Sequence, residues 1–146
     1  MNRDYPDHPI VAVGVVVFKG DEVLLVRRGK EPKATEWSIP GGAQKLGETV
    51  REAAVREVVE ETSVTLKNIQ PLEVVDFIDR DPDDYIRHHY TLVDFVAEYN
   101  EGMLKAGDDA SEASWVPLDK LDTYDLWSET TKMIYTGKQR LENSSK

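Results

Sequence analysis

The chain contains no cysteine. That absence excludes a disulfide framework, a thiolate metal site and a cysteine nucleophile. Long apolar runs are missing too: none approaches the roughly 20 residues that a membrane-spanning helix needs. The first residues, Met1 to Pro6, lack the apolar core of a secretory signal, so the expected setting is the cytoplasm, away from any membrane. Basic residues are scarce, 18 Lys and Arg against 28 Asp and Glu, for a formal net charge of -10. So acidic a surface repels nucleic acid polymers, whose binding needs basic patches. It can still hold a small polyanion, provided cations stand between its carboxylates and the phosphates. The arrangement of the acids therefore matters more than their number.

What is present is an ordinary globular composition. Hydrophobic residues make up 40% and charged residues 32% of 146 residues, too apolar for disorder and the right length for one domain spanning the chain. Residues 10–18 are rich in valine and read as a buried strand. Gly20-Asp21 supplies a turn, and 23–26 reads as a second strand ending at Arg27-Arg28. Residues 29–42 carry glycine, proline and charge and read as a long loop. Residues 48–62 contain neither Gly nor Pro and are predicted as a helix. Two more strands are predicted at 72–78 and 90–99, joined by a polar turn over 79–84. An acidic loop over 107–112, a short strand at 114–116 and a closing helix over 125–141 complete a mixed α/β domain.

The predicted helix over 48–62 carries the strongest chemical signal. With Glu57 at zero, Glu61 falls about 40° to one side and Glu60 about 60° to the other, at 100° per residue. Three carboxylates thus share the arc that Val50, Ala53, Ala54 and Val58 also occupy. Val55 and Val59 point the opposite way, which predicts a helix with protein on both sides. Like charges four residues apart cost a few tenths of a kcal/mol. Acids near a helix C-terminus cost roughly 0.3–1 kcal/mol more. A divalent cation reverses both terms, and oxygen ligands suit Mg²⁺ or Mn²⁺. Ahead of the helix stands Trp37-Ser38-Ile39-Pro40-Gly41-Gly42, whose glycine pair permits close backbone approach to a ligand.

Taken together these residues resemble the Nudix box, G-x5-E-x7-R-E-U-x-E-E-x-G-U with U a bulky aliphatic. Gly42 is followed by Glu48, Arg56-Glu57-Val58-Val59-Glu60-Glu61 and Val64 in that spacing. The departure is Ser63, where the family usually has glycine. Because that glycine ends the helix, the change bears on cap geometry more than on chemistry. Gln44-Lys45 also differs from the aliphatic and acid often found there. Together with Pro40-Gly41-Gly42, residues 88–99 and 107–115 resemble the Nudix group that contains ADP-ribose pyrophosphatases.

The resemblance implies an α/β/α sandwich around a mixed, curved β-sheet. It also implies a metal-dependent hydrolase acting on the diphosphate of a small nucleotide. It makes Glu57, Glu60 and Glu61 the metal ligands, with the Gly42 carbonyl as a further ligand and Mg²⁺ or Mn²⁺ as the cofactor. Glu57 and Glu60 belong to the catalytic set with Arg56, which pairs with Glu48 or orients the ligand carboxylates. The general base varies in the family; here Asp109, or its neighbours Asp108 and Glu112, occupies the relevant loop. Arg27 and Arg28 are candidate phosphate contacts, and Trp37, Tyr85 and Trp127 are candidates to stack on a base. His88 and His89 start a strand whose alternation turns only one of them inward. Relatives that cleave ADP-ribose are often homodimers. Alternatives are a house-cleaning nucleoside triphosphate diphosphatase and a non-catalytic nucleotide-binding module of the same fold.

Overall fold

A computed structural model describes residues 3–29 and 35–144, so the expected loop over 29–42 lies partly outside the described residues. β1 (Ile10–Lys19) and β2 (Glu22–Arg28) form an antiparallel hairpin around Gly20-Asp21, paired only beside the turn, Phe18 with Val23 and Lys19 with Glu22. The two strands then take different neighbours. β1 pairs antiparallel with β4 (Gly41–Ala43) and parallel with β6 (Ile86–Glu101). β2 pairs antiparallel with β3 (Trp37–Ser38) and with β7 (Ala110–Pro117). β5 (Thr65–Arg80) runs antiparallel along β6 at the far edge, giving the order β3-β2-β1-β6-β5 in a mixed sheet.

One helix covers each face. Val13, Val15 and Val17 of β1 pack with Ala53, Ala54 and Val58 of α1 (Val50–Thr62). Val16 and Phe18 pack with Met133 and Ile134 of α2 (Ser128–Ser144). The uninterrupted apolar run of β1 follows from this sandwiching, since a strand covered on both faces has no polar face to present. The architecture is therefore the expected α/β/α sandwich. No described helix is long and apolar enough to cross a membrane.

Several sequence expectations need correction. The region read as loop holds two short strands, β3 and β4, which glycine and proline hide from pattern reading. β5 and β6 extend beyond 72–78 and 90–99 as a long hairpin; the added length is mostly 65–71, where repeated register shifts break the alternation, and 86–89 beside the turn. β7 begins at Ala110, inside the expected acidic loop. The closing helix starts at Ser128, after a 3₁₀ segment (Leu118–Tyr124) and Asp125 in a left-handed conformation, φ 50°. α1 does not have protein on both sides: Val55 and Val59 are 38% and 41% exposed.

Candidate active site

The site is built around α1. Thr49 caps its N-terminus: the side chain accepts from the Glu52 N–H at 3.0 Å, and the Glu52 carboxylate accepts from the Thr49 N–H at 3.0 Å. This reciprocal pair satisfies two donors that the helix leaves open, worth about 1 kcal/mol. At the other end Ser63 takes the left-handed conformation, φ 65°, that glycine usually supplies. The loop between β6 and β7 completes the cap, its Lys105 and Gly107 N–H groups donating to the Thr62 and Glu61 carbonyls at 3.0 and 3.1 Å. That docking carries the next residue, Asp108, to the acids of the helix. Carboxylate oxygens of Glu57, Glu60 and Asp108 lie within 4.8 Å of one another.

The two glycines before the helix are there for space. A Cβ on Gly41 would stand 2.0 Å from the Val13 carbonyl oxygen, and one on Gly42 would stand 2.5–2.6 Å from the Glu57 carboxyl group. β4 can therefore lie against both β1 and the acidic face of α1. Glu61 does not join the three clustered carboxylates. It is turned behind them, where its Oε1 accepts from the Gly41 N–H at 2.8 Å.

Arg56 ties the group together. Its guanidinium is bidentate on Glu48, with Nε to Oε2 at 2.6 Å and Nη2 to Oε1 at 2.9 Å. Nη1 donates to Glu57 at 2.7 Å and to Glu60 at 3.1 Å, and Nη2 also donates to the Ala43 carbonyl. Both arrangements anticipated for Arg56, the Glu48 pair and contact with the acids, thus coexist. Hydrogen bonds from Arg56 hold the Glu48 carboxyl down to about 2, and the Glu48 and Glu57 partners raise Arg56. Burial raises Glu57 despite Arg56, and pushes Glu61 up to about 7, with the charges of Glu57, Asp109 and Asp108 adding to the rise.

The carboxylates of Glu48, Glu57, Glu60, Asp108 and Asp109 outnumber the cations Arg3, Lys45 and Arg56 here, which leaves this corner negative. Left alone it would repel a diphosphate. The donors are oxygens only, clustered, and face a cleft of about 590 Å³ that Lys45 and Asp109 also line. That chemistry fits a hard divalent cation such as Mg²⁺ or Mn²⁺.

A second cavity of about 360 Å³ opens where β1 and β2 part company. Gly41, Gly42 and Glu61 border it, as do Arg27 and Arg28 at the end of β2. Arg27 is paired with Glu112 at 2.9 Å. Trp37 and Trp127 also border it; Tyr85, 68% exposed, does not. His88 is the histidine turned inward, with Asp79 on Nδ1 at 3.0 Å and Asp4 on Nε2 at 2.9 Å. Pattern reading offers Asp108 only as a base and does not anticipate its place among the helix acids. Gly107 is the available signal: a Cβ there would meet the Glu60 carbonyl at 2.7 Å.

A NUDIX domain family model matches residues 8–136. The chain belongs to the Nudix family. This Nudix chain is 41% identical over 114 residues to the ADP-ribose pyrophosphatase of Methanocaldococcus jannaschii, covering 78% of this chain and 65% of the relative. It is 28% identical to the 8-oxo-dGTP diphosphatase of Escherichia coli, covering 80% of this chain and 85% of the relative. Against the archaeal relative, and against a Bacillus subtilis Nudix hydrolase at 33% identity and 61% coverage, the chain spans less than two thirds of the relative's length. The crystal structure of a MutT NUDIX hydrolase from Burkholderia pseudomallei superposes with TM-score 0.77 at 26% identity, covering 89% of this chain and 98% of that one. The NUDIX domain of Shewanella oneidensis NrtR, complexed with ADP ribose, matches in fold at TM-score 0.77 and 24% identity, covering 92% and 90% of the two chains.

Proposed function

We propose that this Nudix domain is a divalent-cation-dependent diphosphohydrolase that cleaves ADP-ribose, or a related nucleoside diphosphate sugar, to a nucleoside monophosphate and a sugar phosphate. The observation that carries the chemistry is the cluster of Glu57, Glu60 and Asp108, braced by Arg56 and open to a cleft. The substrate class is supported by 41% identity to an ADP-ribose pyrophosphatase.

In this reading Glu57 and Glu60, joined by Asp108 from the opposite loop, hold Mg²⁺ or Mn²⁺, with the Gly42 carbonyl and the Glu61 oxygen that Gly41 leaves free as the further ligands. When bound, the cation neutralises phosphate charge and activates water. The chain's own residues do the rest. Arg56 keeps Glu57 and Glu60 in place, anchored from behind by Glu48. Asp109 takes the proton of the attacking water. One P–O bond forms, the bridging P–O bond breaks, and the second phosphate leaves. Arg27 and Arg28, on the cavity wall, receive phosphate oxygens. The acidic loop also bears on substrate choice: sugar hydroxyls donate to carboxylates, whereas a third phosphate would be repelled.

Side-by-side kinetics on ADP-ribose, ADP-glucose, ATP and dGTP test the assignment. Turnover should vanish in excess chelator and return with Mg²⁺ or Mn²⁺, and ADP-ribose or ADP-glucose should have the highest kcat/KM. Full activity in chelator would end the cation assignment. A triphosphate better by tenfold would end the substrate assignment while leaving a hydrolase.

A further inference from the structure

Asp94 has no part in the chemistry described above, yet its setting is unfavourable for a carboxylate. It lies mid-way along β6, between Val93 and Phe95, and is only 8% exposed. Side-chain alternation sends Phe95 into the α1 core and Val96 into the α2 core, so Asp94 shares the α2 face with Val96. Among the described residues no donor reaches its carboxyl. Burial, with some repulsion from Glu73 across the β5–β6 ladder, pushes it up to about 7. No described side-chain oxygen is both sealed from solvent and unpartnered, so the Asp94 oxygens open onto a cavity, and a carboxyl drawn this far into the fold with no donor marks a functional demand.

The surroundings show where the carboxyl points. It lines the 360 Å³ cavity that also reaches Gly41, Gly42 and Glu61. Gly14, its register partner on β1, makes the room: a Cβ there would stand 2.6 Å from Asp94 Oδ1. The same cavity is walled by Val75, Phe77, Leu92, Trp127 and Met133, with Phe77 and Trp127 edge to face at 5.9 Å. Charged and polar side chains, among them Arg27, Arg28, Glu61, Asp79 and His88, line other parts of the cavity, but this apolar, aromatic stretch beside the Asp94 carboxyl suits a flat heterocycle with a polar edge better than a sugar bristling with hydroxyls. The chamber adjoins the box acids, so a nucleotide whose phosphates lie at the acids has its base within reach of it.

We propose that Asp94 is the specificity-determining residue for the nucleobase, its carboxyl accepting a hydrogen bond from the exocyclic amino group of a bound purine. The proposal rests on the reading of this domain as a nucleotide hydrolase, under which the base is adenine. A carboxyl oxygen is an acceptor in either protonation state, so a base lacking the amino donor leaves it buried and unpaired. Sites built around one buried hydrogen bond reject analogues that lack it far better than sites that discriminate by size.

Two ligand pairs differ in one amino group each: AMP against purine riboside monophosphate, and GMP against IMP. Their affinities are measured by titration calorimetry at pH 8 with Mg²⁺, for the wild-type chain, Asp94→Ala and Asp94→Asn. The wild-type chain should bind AMP at least about tenfold more tightly than purine riboside monophosphate, the scale of one hydrogen bond to a charged group. Asp94→Ala should bring that pair within twofold. Asp94→Asn, which keeps an acceptor oxygen, should restore most of the preference, a rescue that a merely structural role would not give. Equal binding of both pairs by the wild type overturns the proposal, as does a preference that survives in Asp94→Ala. Should Asp94→Ala fail to fold, loss of AMP preference in Asp94→Asn would also overturn it. A preference confined to GMP over IMP and lost in Asp94→Ala would uphold the role of Asp94 and overturn the ADP-ribose reading instead, so the two failures are distinguishable.

Discussion

At the scale of single residues, Glu61 separates a working acidic cluster from a solvated one. It is 7% exposed, bonded to the Gly41 N–H and raised to about 7 by burial and by the charges of Glu57, Asp109 and Asp108. Glu61→Gln keeps the shape and the acceptor for Gly41 while removing one charge. Turnover should fall by at least about 10², the usual worth of metal-held and acid–base groups. Melting temperature measured in chelator should stay level or rise, because like-charge repulsion is relieved. Wild-type turnover in this variant would show the helix acids to be an ordinary polar face. The spacing of Glu57, Glu60 and Glu61 is legible from sequence because helical periodicity alone puts them on one arc. The company of Asp108 is not, since it stands 48 positions after Glu60 and only the docked loop brings the two together.

At the scale of elements, α1 is closed at one end by local sequence and at the other by distant sequence. Thr49 and Glu52 form a capping box within one turn, a signal that adjacent residues suffice to specify. The C-terminal end relies on Ser63 at φ 65° and on the Lys105 and Gly107 N–H groups. An L-residue in that conformation costs roughly 1–2 kcal/mol, part of which glycine returns through the entropy of the unfolded chain. Ser63→Gly should therefore stabilise the fold by about 0.5–1 kcal/mol, the difference of those terms. Urea unfolding should show a higher midpoint at an unchanged slope, with kcat unaffected. A lower midpoint would mean that the Ser63 side chain contributes more than its backbone conformation costs. The long hairpin of β5 and β6 illustrates the opposite situation. Register shifts along 65–73 break the side-chain alternation of β5, so periodicity fades there although backbone pairing continues from Thr65 to Arg80.

At the scale of the whole molecule, buried acids give the stability a characteristic dependence on pH. Asp94 is raised from 3.8 to about 7 and Glu61 from 4.5 to about 7. Between those values the folded state holds more protons than the unfolded one, so unfolding free energy falls as pH rises. The stability these groups contribute is fully present below pH 4 and lost by about pH 7, each group losing ~1.4 kcal/mol for every pH unit crossed in that window. Glu48 acts in the opposite sense: its carboxyl is held near 2, so its contribution is lost as pH falls below its ordinary range. Urea unfolding in chelator should show stability decreasing from pH 5 to pH 8, and Asp94→Asn should flatten that slope. An unchanged slope in the variant would mean that Asp94 ionises as readily in the folded chain as in the unfolded one.

The layers and the chemistry class are written along the chain itself. A valine run that can be buried on both faces, a glycine- and proline-free helix, and acids at helical spacing are local patterns, and local patterns follow from backbone geometry alone. Tertiary packing governs what distant residues do to one another. It swings the β6–β7 loop onto the end of α1 to add Asp108, parts β1 from β2 to open a chamber, and sets Asp94 against Gly14 on that chamber's wall. Those results depend on strand order, register and the close approach of glycine backbones, and no periodicity in the chain encodes them, because each joins residues whose sequence separation is unrelated to their distance in space.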